Sequence, residues 1–283
     1  MVLHLAKAIG IPVSLSFPIS LGSGLNMIRL HKVAPSGTIL IDAPSSCNAL
    51  TREMVRQFLD AISDFHQDKS IRGIILSSKG EHFCSGINLK EWHETSQSRD
   101  AQLQWQEIAD ELQELVEALL RLPKPVIAAI DGPVRGFGVA LACAADLVVA
   151  SSRAEFSAPA PKIGLVSGLL TPLITFRCGG STAARILLGR ETLQAPELHR
   201  LGIVHRLVSS DQIWAAAHDW IGNIAEGSAD AVGLTKRLLN EMIGESLMMQ
   251  LSSGSAMMST AANTESAVEG MRAFVEKRPP KFP

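Results

Sequence analysis

Two short segments, EHFCSGINLKEW (residues 81–92) and DGPVRGFGVALA (residues 131–142), hold the residues best placed to do chemistry in this chain. Each follows an apolar run that reads as a strand, passes through small residues and enters a loop or helix. In the first, Ser85 and Gly86 let the backbone turn tightly and expose the amides of Ile87 and Asn88. In the second, Gly136 and Gly138 flank Phe137 at a predicted helix start, where amides have no internal partners and the dipole favours negative charge. Two such amides aimed at one point make an oxyanion hole, which stabilises charge developing on a carbonyl oxygen. Losing one donor typically costs about 3 kcal/mol. The same glycines would serve equally well to allow tight strand-to-helix turns with no chemistry attached.

The elements that must position these segments alternate along the chain. Met27 to Ile41 reads as two short strands around the turn APSG, and SSCNAL leads into an amphipathic helix from Thr51 to Gln67 that Thr51 can cap. The run from Ile71 to Ser78 is a strand of the kind buried on both faces of a sheet. Leu103, Ile108, Leu112, Leu115, Leu119 and Leu122 recur at helical spacing until Pro123 and Pro125 stop the helix. VIAAIDG is another buried strand, VALACAA a helix and DLVVAS a further strand. This repeated β-α-β order predicts a layered α/β fold, with strands too short and linkers too irregular for a (β/α)₈ barrel, which leaves a spiral or an open sheet. Past Val208 the strand signals stop. Ile213–Ala225, Ala229–Ile243, Leu247–Met258 and Ser266–Lys277 read as successive helices, so a boundary falls near residue 209, between a core at 27–208 and a helical domain at 209–283. Met248, Met249, Met257 and Met258 read as core or subunit interface.

With 283 residues, 46% hydrophobic and 19% charged, the chain is expected to be soluble and globular. A net charge of −2 supplies no general field for nucleic acid. Cys47, Cys84, Cys143 and Cys178 form no CxxC pair and no histidine stands at metal-ligand spacing, which points to no metal and to thiols in a reducing compartment, the cytoplasm. No apolar run reaches the roughly 18 residues that would span a bilayer. Residues 1–26 have one lysine, interrupting prolines and no A-x-A site, and are read as an N-terminal extension rather than a secretory signal.

The string GEHFCSGINLKEW resembles the crotonase (enoyl-CoA hydratase/isomerase) segment G-x-x-F-C/A-A/S-G-A-D-L-K-E. LPKPVIAAIDGPVRGFGVALACAADLVVASSRAEFSAPAPKIGLV is similar to its P-K-P-V-I-A-A-V-x-G-x-x-x-G-G-G-x-x-L-A-x-x-C-D continuation. SSCNALTREM, LGRETLQAPELHRLGIVHRLV and EGMRAFVEKRPPKF add further matches in the right order, covering nearly all of the chain from Met27 on. The resemblance implies a crotonase-like repeated ββα spiral with a C-terminal helical domain, an acyl-CoA thioester as substrate, no covalently bound cofactor, and a homotrimer or dimer of trimers. It assigns the oxyanion amides to Ile87, where alanine is usual, and to Phe137, where the middle glycine of G-G-G is usual. Cys47, Ala49, Leu50 and Ser85 would line the pantetheine groove, with Lys90 near the phosphates. Gly86, Asn88, Leu89, Gly136, Gly138 and Pro159 belong to the same binding segments, and Phe274 and Lys277 match positions that approach the adenine of a neighbouring subunit.

The departure from the family concerns acid and base. A hydratase of this type presents one glutamate a turn into the helix after G-G-G, where this chain has Ala140, and a second after F-G-x-P, where it has Ala160. Proton transfer by each such group is worth about 10²- to 10⁴-fold, so ordinary hydration is doubtful here. Other superfamily members place an aspartate where Ser167 stands. Without an activating partner or a G-x-S-x-G elbow, Ser167 reads as a pocket hydrogen-bond donor. His82, Glu91, His93 and Glu94 surround the first segment; His93 or Glu94 could act if the loop folds inward, the alternative being solvated loop residues. Asp131 is expected to order the turn before Gly132. A nucleotide-binding oxidoreductase, suggested by GFGVAL, fails because Leu141 stands where the third glycine or alanine belongs. The rival of a different class is a non-catalytic acyl-CoA-binding scaffold or carrier.

Overall fold

Strand and helix alternate from Ile28 onward in the computed structural model, which describes residues 27–283 apart from the side chains of residues 241–245. The extension at residues 1–26 lies outside them. β1 (Ile28–Val33) and β2 (Ser36–Ile41) are followed by α1 (Arg52–Gln67), β3 (Gly73–Ser78), α2 (Leu89–Thr95) and α3 (Ala101–Arg121). Next come β4 (Val126–Ile130), β5 (Pro133–Arg135), α4 (Phe137–Ala144), β6 (Leu147–Ala150), β7 (Glu155–Ser157) and α5 (Leu170–Leu187). The chain continues through β8 (Leu193–Gln194), α6 (Ala195–Arg200) and β9 (Arg206–Leu207), then α7 (Ile213–Ala225), α8 (Ala229–Ala262) and α9 (Glu265–Val275).

The main sheet runs β1-β2-β3-β4-β6-β9, antiparallel only at β1–β2. Its side chains alternate between two buried layers, as the period of 2 in a strand requires. Ile74, Leu76, Val126, Ala128 and Ile130 enter the large core, while Ile75, Ile127, Ala129 and Val149 face Ile213, Ala217 and Ile221 of α7. That double burial explains why β3 and β4 read as unbroken apolar runs. The second sheet, β5-β7-β8, is extended by single parallel bridges, Cys84 with Val134 and Leu50 with Ile87. Each turn of the chain thus supplies one long strand, one short extended segment and a helix, which is the expected ββα spiral.

Local signals fix the helices. Thr51 Oγ1 accepts the Met54 amide at 3.2 Å and starts α1 as expected. Trp105, Ile108, Leu112, Leu115 and Leu119 form the buried face of α3, whereas Leu103, expected on that face, is 62% exposed. Leu103 sits in the first turn, off the stripe that Trp105 defines. The two helices expected at Ala229–Ile243 and Leu247–Met258 are one, α8. Leu247, Leu251, Met258 and Ala262 give it a single buried face against the core. Its docking onto α3 is fixed by Lys236, which donates to the Leu119 and Lys124 carbonyls at 2.9 and 3.0 Å and pairs with Asp146 at 2.8 Å. Burial pushes the Lys236 pKa down, against the attraction of Asp146. No helix of the described residues is long and apolar enough to cross a membrane.

Candidate functional site

The two glycine-bearing turns meet backbone to backbone. Gly138 lies against Cys84, so that a Cβ there would stand 2.4 Å from the Cys84 carbonyl oxygen. At Gly86 a Cβ would stand 3.0 Å from the Arg135 oxygen and 3.2 Å from the Phe137 nitrogen. Gly86 has φ +96° and Gly136 has φ +53°, ψ −121°, values that L side chains rarely adopt. Hydrogen bonds lock the approach: Arg135 N donates to Cys84 O at 2.9 Å, Gly136 N to Ser157 O at 2.9 Å, and Phe83 N to Pro133 O at 3.0 Å.

A third loop joins them. Leu50 N donates to Gly86 O, Asn88 N to Leu50 O and Ser85 N to Cys47 O. Asn48, fully buried with φ +56°, holds this loop. Its Oδ1 accepts the Ala43 amide at 2.9 Å, and its Nδ2 donates to the Lys79 and His82 carbonyls at 2.9 and 2.7 Å. Asparagine is among the few residues that tolerate positive φ, and here its side chain satisfies three backbone groups at once.

Against this dense pairing, the Ile87 and Phe137 amides donate to no carbonyl or side chain among the described residues. Phe137 opens α4, every residue of which is buried, and its N-cap Gly136 offers no side chain. The other end of α4 is satisfied, since Arg177 donates to the Cys143 and Ala145 carbonyls at 2.7 Å. A buried helix start without acceptors is an anion-favouring position. The Asn88 amide, expected to be exposed beside that of Ile87, is used by Leu50, and the Asn88 side chain instead caps α2 by accepting the Lys90 and Glu91 amides.

Both unpartnered amides belong to residues lining one pocket. Ser85, Gly86, Ile87, Leu89, Gly136, Phe137, Pro159, Ala160 and Ser167, all singled out in the sequence, are brought together there. The Phe137 ring is folded into this wall and only 8% exposed. Trp92, Ile163, Leu165, Val166, Leu169, Leu170 and Met258 complete the lining and were missed. Trp92 was within reach of sequence reasoning, three residues past Leu89 on one helix face. Met258 was read as core or subunit interface, and only the fold brings α8 to the pocket. Glycines permit that closure: Gly168 packs on Gly254 of α8, and Gly270 of α9 packs on Ile163, each at a distance where a Cβ would meet backbone oxygen within 2.4 Å.

Other candidates lie elsewhere. Ala140 is fully buried in α4, outside the lining, and Gly138 of the same helix packs against Cys84. Cys47, Ala49 and Leu50 belong to the adjoining loop rather than the pocket wall. Lys90, Phe274 and Lys277 are exposed and do not line the pocket of their own chain. His93 is half-buried on α2 with no place in the lining, and its buried Nδ1 has no partner. Glu94 is exposed. Glu91 accepts the Arg52 amide at 3.1 Å and so helps start α1; burial pushes its carboxyl up, against the pull of that bond and of Arg52. Asp131 does more than order its own turn. It accepts from Ser151 at 2.7 Å, from Ser210 at 2.9 Å and from Arg153, tying three chain segments together. Burial raises its carboxyl, but those bonds outweigh it and hold it below the ordinary value. Burial pushes the Cys84 and Cys143 thiols up to about 12, so neither is a nucleophile at neutral pH. Among the described residues no group of three or more His, Cys, Asp or Glu could hold a metal ion.

The model of the enoyl-CoA hydratase/isomerase family matches residues 36–283. The chain is 32% identical over 252 residues to the human mitochondrial enoyl-CoA hydratase domain-containing protein 2, covering 86% of this chain and 84% of that protein. It is 28% identical over 249 residues to the 1,2-epoxyphenylacetyl-CoA isomerase of Escherichia coli, with 87% and 94% covered. A solved enoyl-CoA hydratase from Mycobacterium avium subsp. paratuberculosis superposes with a TM-score of 0.79 at 28% identity, over 91% of this chain and 98% of that one. The chain belongs to the enoyl-CoA hydratase/isomerase family, the crotonase superfamily, and has its fold.

The glycine contacts are tested by substitution. Gly138→Ala is expected to lower stability by about 3 kcal/mol, the upper end of overpacking in a dense core. Gly222→Ala, where an added Cβ meets nothing within 4 Å, is expected to be neutral or slightly stabilising in helix α7. Denaturant unfolding compares the two, and equal midpoints would contradict the packing described.

Proposed function

We propose that the protein binds an acyl-coenzyme A thioester with its carbonyl oxygen between the Ile87 and Phe137 amides, stabilising negative charge on that oxygen. The observation that carries this reading is the pair of unpartnered amides on one apolar pocket. Donors held in place before charge develops stabilise it without reorganising, more strongly in a site poor in water. The loop at Cys47, Ala49 and Leu50 would flank the pantetheine arm, and Lys90 would meet phosphate. Phe274 and Lys277 of a neighbouring subunit would approach the adenine.

Hydration is not part of the proposal. Ala140 and Ala160 stand where a hydratase of this family has glutamates, and no titratable side chain lines the pocket. Two activities fit an oxyanion hole without a resident acid or base. One is chemistry on the enolate, with protons moved by the substrate or by water; the other is binding without turnover, as a scaffold or carrier. The lack of any titratable lining group favours keeping the second reading beside the first. We expect crotonyl-CoA hydration to be several powers of ten slower than in a typical hydratase. Coupled titration calorimetry and mass spectrometry of products, with a panel of enoyl-, hydroxyacyl- and oxoacyl-CoA thioesters, separates the outcomes. Binding without ordinary hydration supports the proposal, turnover of any panel member selects the enzymatic reading, and failure of every thioester to bind contradicts it.

The assembly is proposed to be a homotrimer or a dimer of trimers. Leu234, Leu238, Leu239, Met249 and Met257 are each about 60% exposed or more on α8, leaving that helix an apolar outer side opposite its buried face. Light scattering at micromolar concentration is expected to give three or six times the 30.3 kDa chain mass. A monodisperse monomer would contradict it.

A further inference from the structure

β3 and β4 run side by side and parallel, and the turns that carry the unpartnered amides follow their C-terminal ends. At their N-terminal ends, about 20 Å away along the six residues of β3, lies a cleft of about 780 Å³. It shares no lining residue with the pocket of Ile87 and Phe137. Lys69, Arg72, Arg121, Lys124 and Arg237 line it together with His66, and Asp230 is the one acidic residue among them. The whole chain carries slightly more acid than base, 28 residues against 26, so positive charge is concentrated here locally.

Two of these cations are fixed in place. Arg72 donates to the Ala225 and Gly227 carbonyls at 3.2 and 2.7 Å, at the end of α7. Lys124 donates to the Phe65 and Asp68 carbonyls at 2.5 and 2.7 Å, at the end of α1. Completing a helix C-terminus is a structural use for a cation, yet the negative charge there amounts to only about half an electron. Every one of these bonds goes to a neutral carbonyl, so much of each positive charge is left unmatched. Asp68, whose charge reaches Lys124, is itself paired with Lys32 at 2.8 Å. Burial pushes the Lys124 pKa down, with Asp68 opposing and Arg72 adding to the shift, as two like charges set close together require. Both residues are half-buried, whereas Lys69 and Arg121 are exposed at the mouth, Arg121 sharing its charge with Glu117 at 3.0 Å.

We propose that this cleft is a second binding site, for a small organic molecule carrying a diphosphate, which Arg72 and Lys124 bind from the floor and Lys69 and Arg121 from the mouth. A diphosphate brings several negative charges on adjacent groups and so answers several cations at once, which a single carboxylate does not. The planar fork of arginine and the point charge of lysine both suit phosphate oxygens. The volume lies in the range of small-molecule sites, about 300–1,000 Å³, and Ile224, Val232 and Leu234 of the lining offer contact to an apolar body. Of the α8 residues assigned above to assembly, Leu234 alone belongs to this lining.

The test is titration calorimetry of the full chain with inorganic pyrophosphate and orthophosphate, on the unaltered protein, Arg72→Gln, the double variant Lys69→Gln/Arg121→Gln, and Lys90→Gln, with thermal unfolding beside it. Pyrophosphate is expected to bind at least about tenfold more tightly than orthophosphate, and Arg72→Gln to weaken it about tenfold. Because Arg72 also completes α7, its loss could loosen the fold. The exposed double variant keeps the test open, and should weaken pyrophosphate about three- to fivefold with unchanged thermal unfolding. Lys90→Gln, in the segment read as meeting coenzyme A phosphate, should leave pyrophosphate affinity unchanged. Displacement of pyrophosphate by ADP or by geranyl diphosphate, whichever acts at the lower concentration, identifies a nucleotide or a lipid source. Displacement by neither, failure of pyrophosphate to bind, or equal affinity for orthophosphate would overturn the proposal. A loss in Lys90→Gln with none in the cleft variants would also overturn it, by placing the diphosphate at the acyl-CoA site and leaving that reading intact.

Discussion

The close approach of two polypeptide turns, Cys84–Ile87 and Arg135–Gly138, is the constraint on which the rest of the site depends. Side chains are excluded from the contact: at Gly138 and Gly86 an added carbon would meet backbone atoms at 2.4 and 3.0 Å. Backbone packed this tightly must pair its polar groups or leave them aimed at something else. Nearly all are paired, through Cys84, Arg135, Gly136, Ser157 and the loop at Cys47–Leu50. The amides of Ile87 and Phe137 are left over, and both residues line the pocket. The fold therefore makes a pair of donors out of main chain alone, with Asn48 anchoring the loop that flanks them.

A site built from main chain keeps its donors under side-chain replacement, because Ile87 and Phe137 offer backbone N–H groups. What such replacement changes is the shape and chemistry of the wall. Phe137 and Trp92 narrow it, Ala160 brings no polar group to it, and Ser167 is left as an unpaired hydroxyl beside it. The nearby carboxylates are committed elsewhere: Glu91 to the start of α1 and Asp131 to Arg153, Ser151 and Ser210.

Much of this was legible in the sequence because it is local. Thr51 as a cap, Ile213–Ala225 as a helix, the doubly buried strands and both glycine turns follow from propensity, period and the needs of positive φ. The expectations that failed turn on partners distant in the chain. Asn88 was expected to offer its amide, and Leu50 takes it. Helices expected to break between Ile243 and Leu247 run on as one, since a face docked on α3, α5 and the pocket outweighs a weak local periodicity. Met258 reaches the pocket only because Gly168 and Gly254 let α8 lie against the loop before α5. No local pattern encodes such a contact.

The central claim is that two backbone amides polarise a thioester carbonyl. Isotope-edited infrared spectroscopy of an acyl-CoA labelled with carbon-13 at that carbonyl, bound to the protein, reports on it directly, because hydrogen bonds to the oxygen weaken the C=O bond. The account predicts a stretch shifted to lower frequency than in the free thioester, and a shift that persists in Ser167→Ala. A bound carbonyl with the frequency of the free ligand would contradict it.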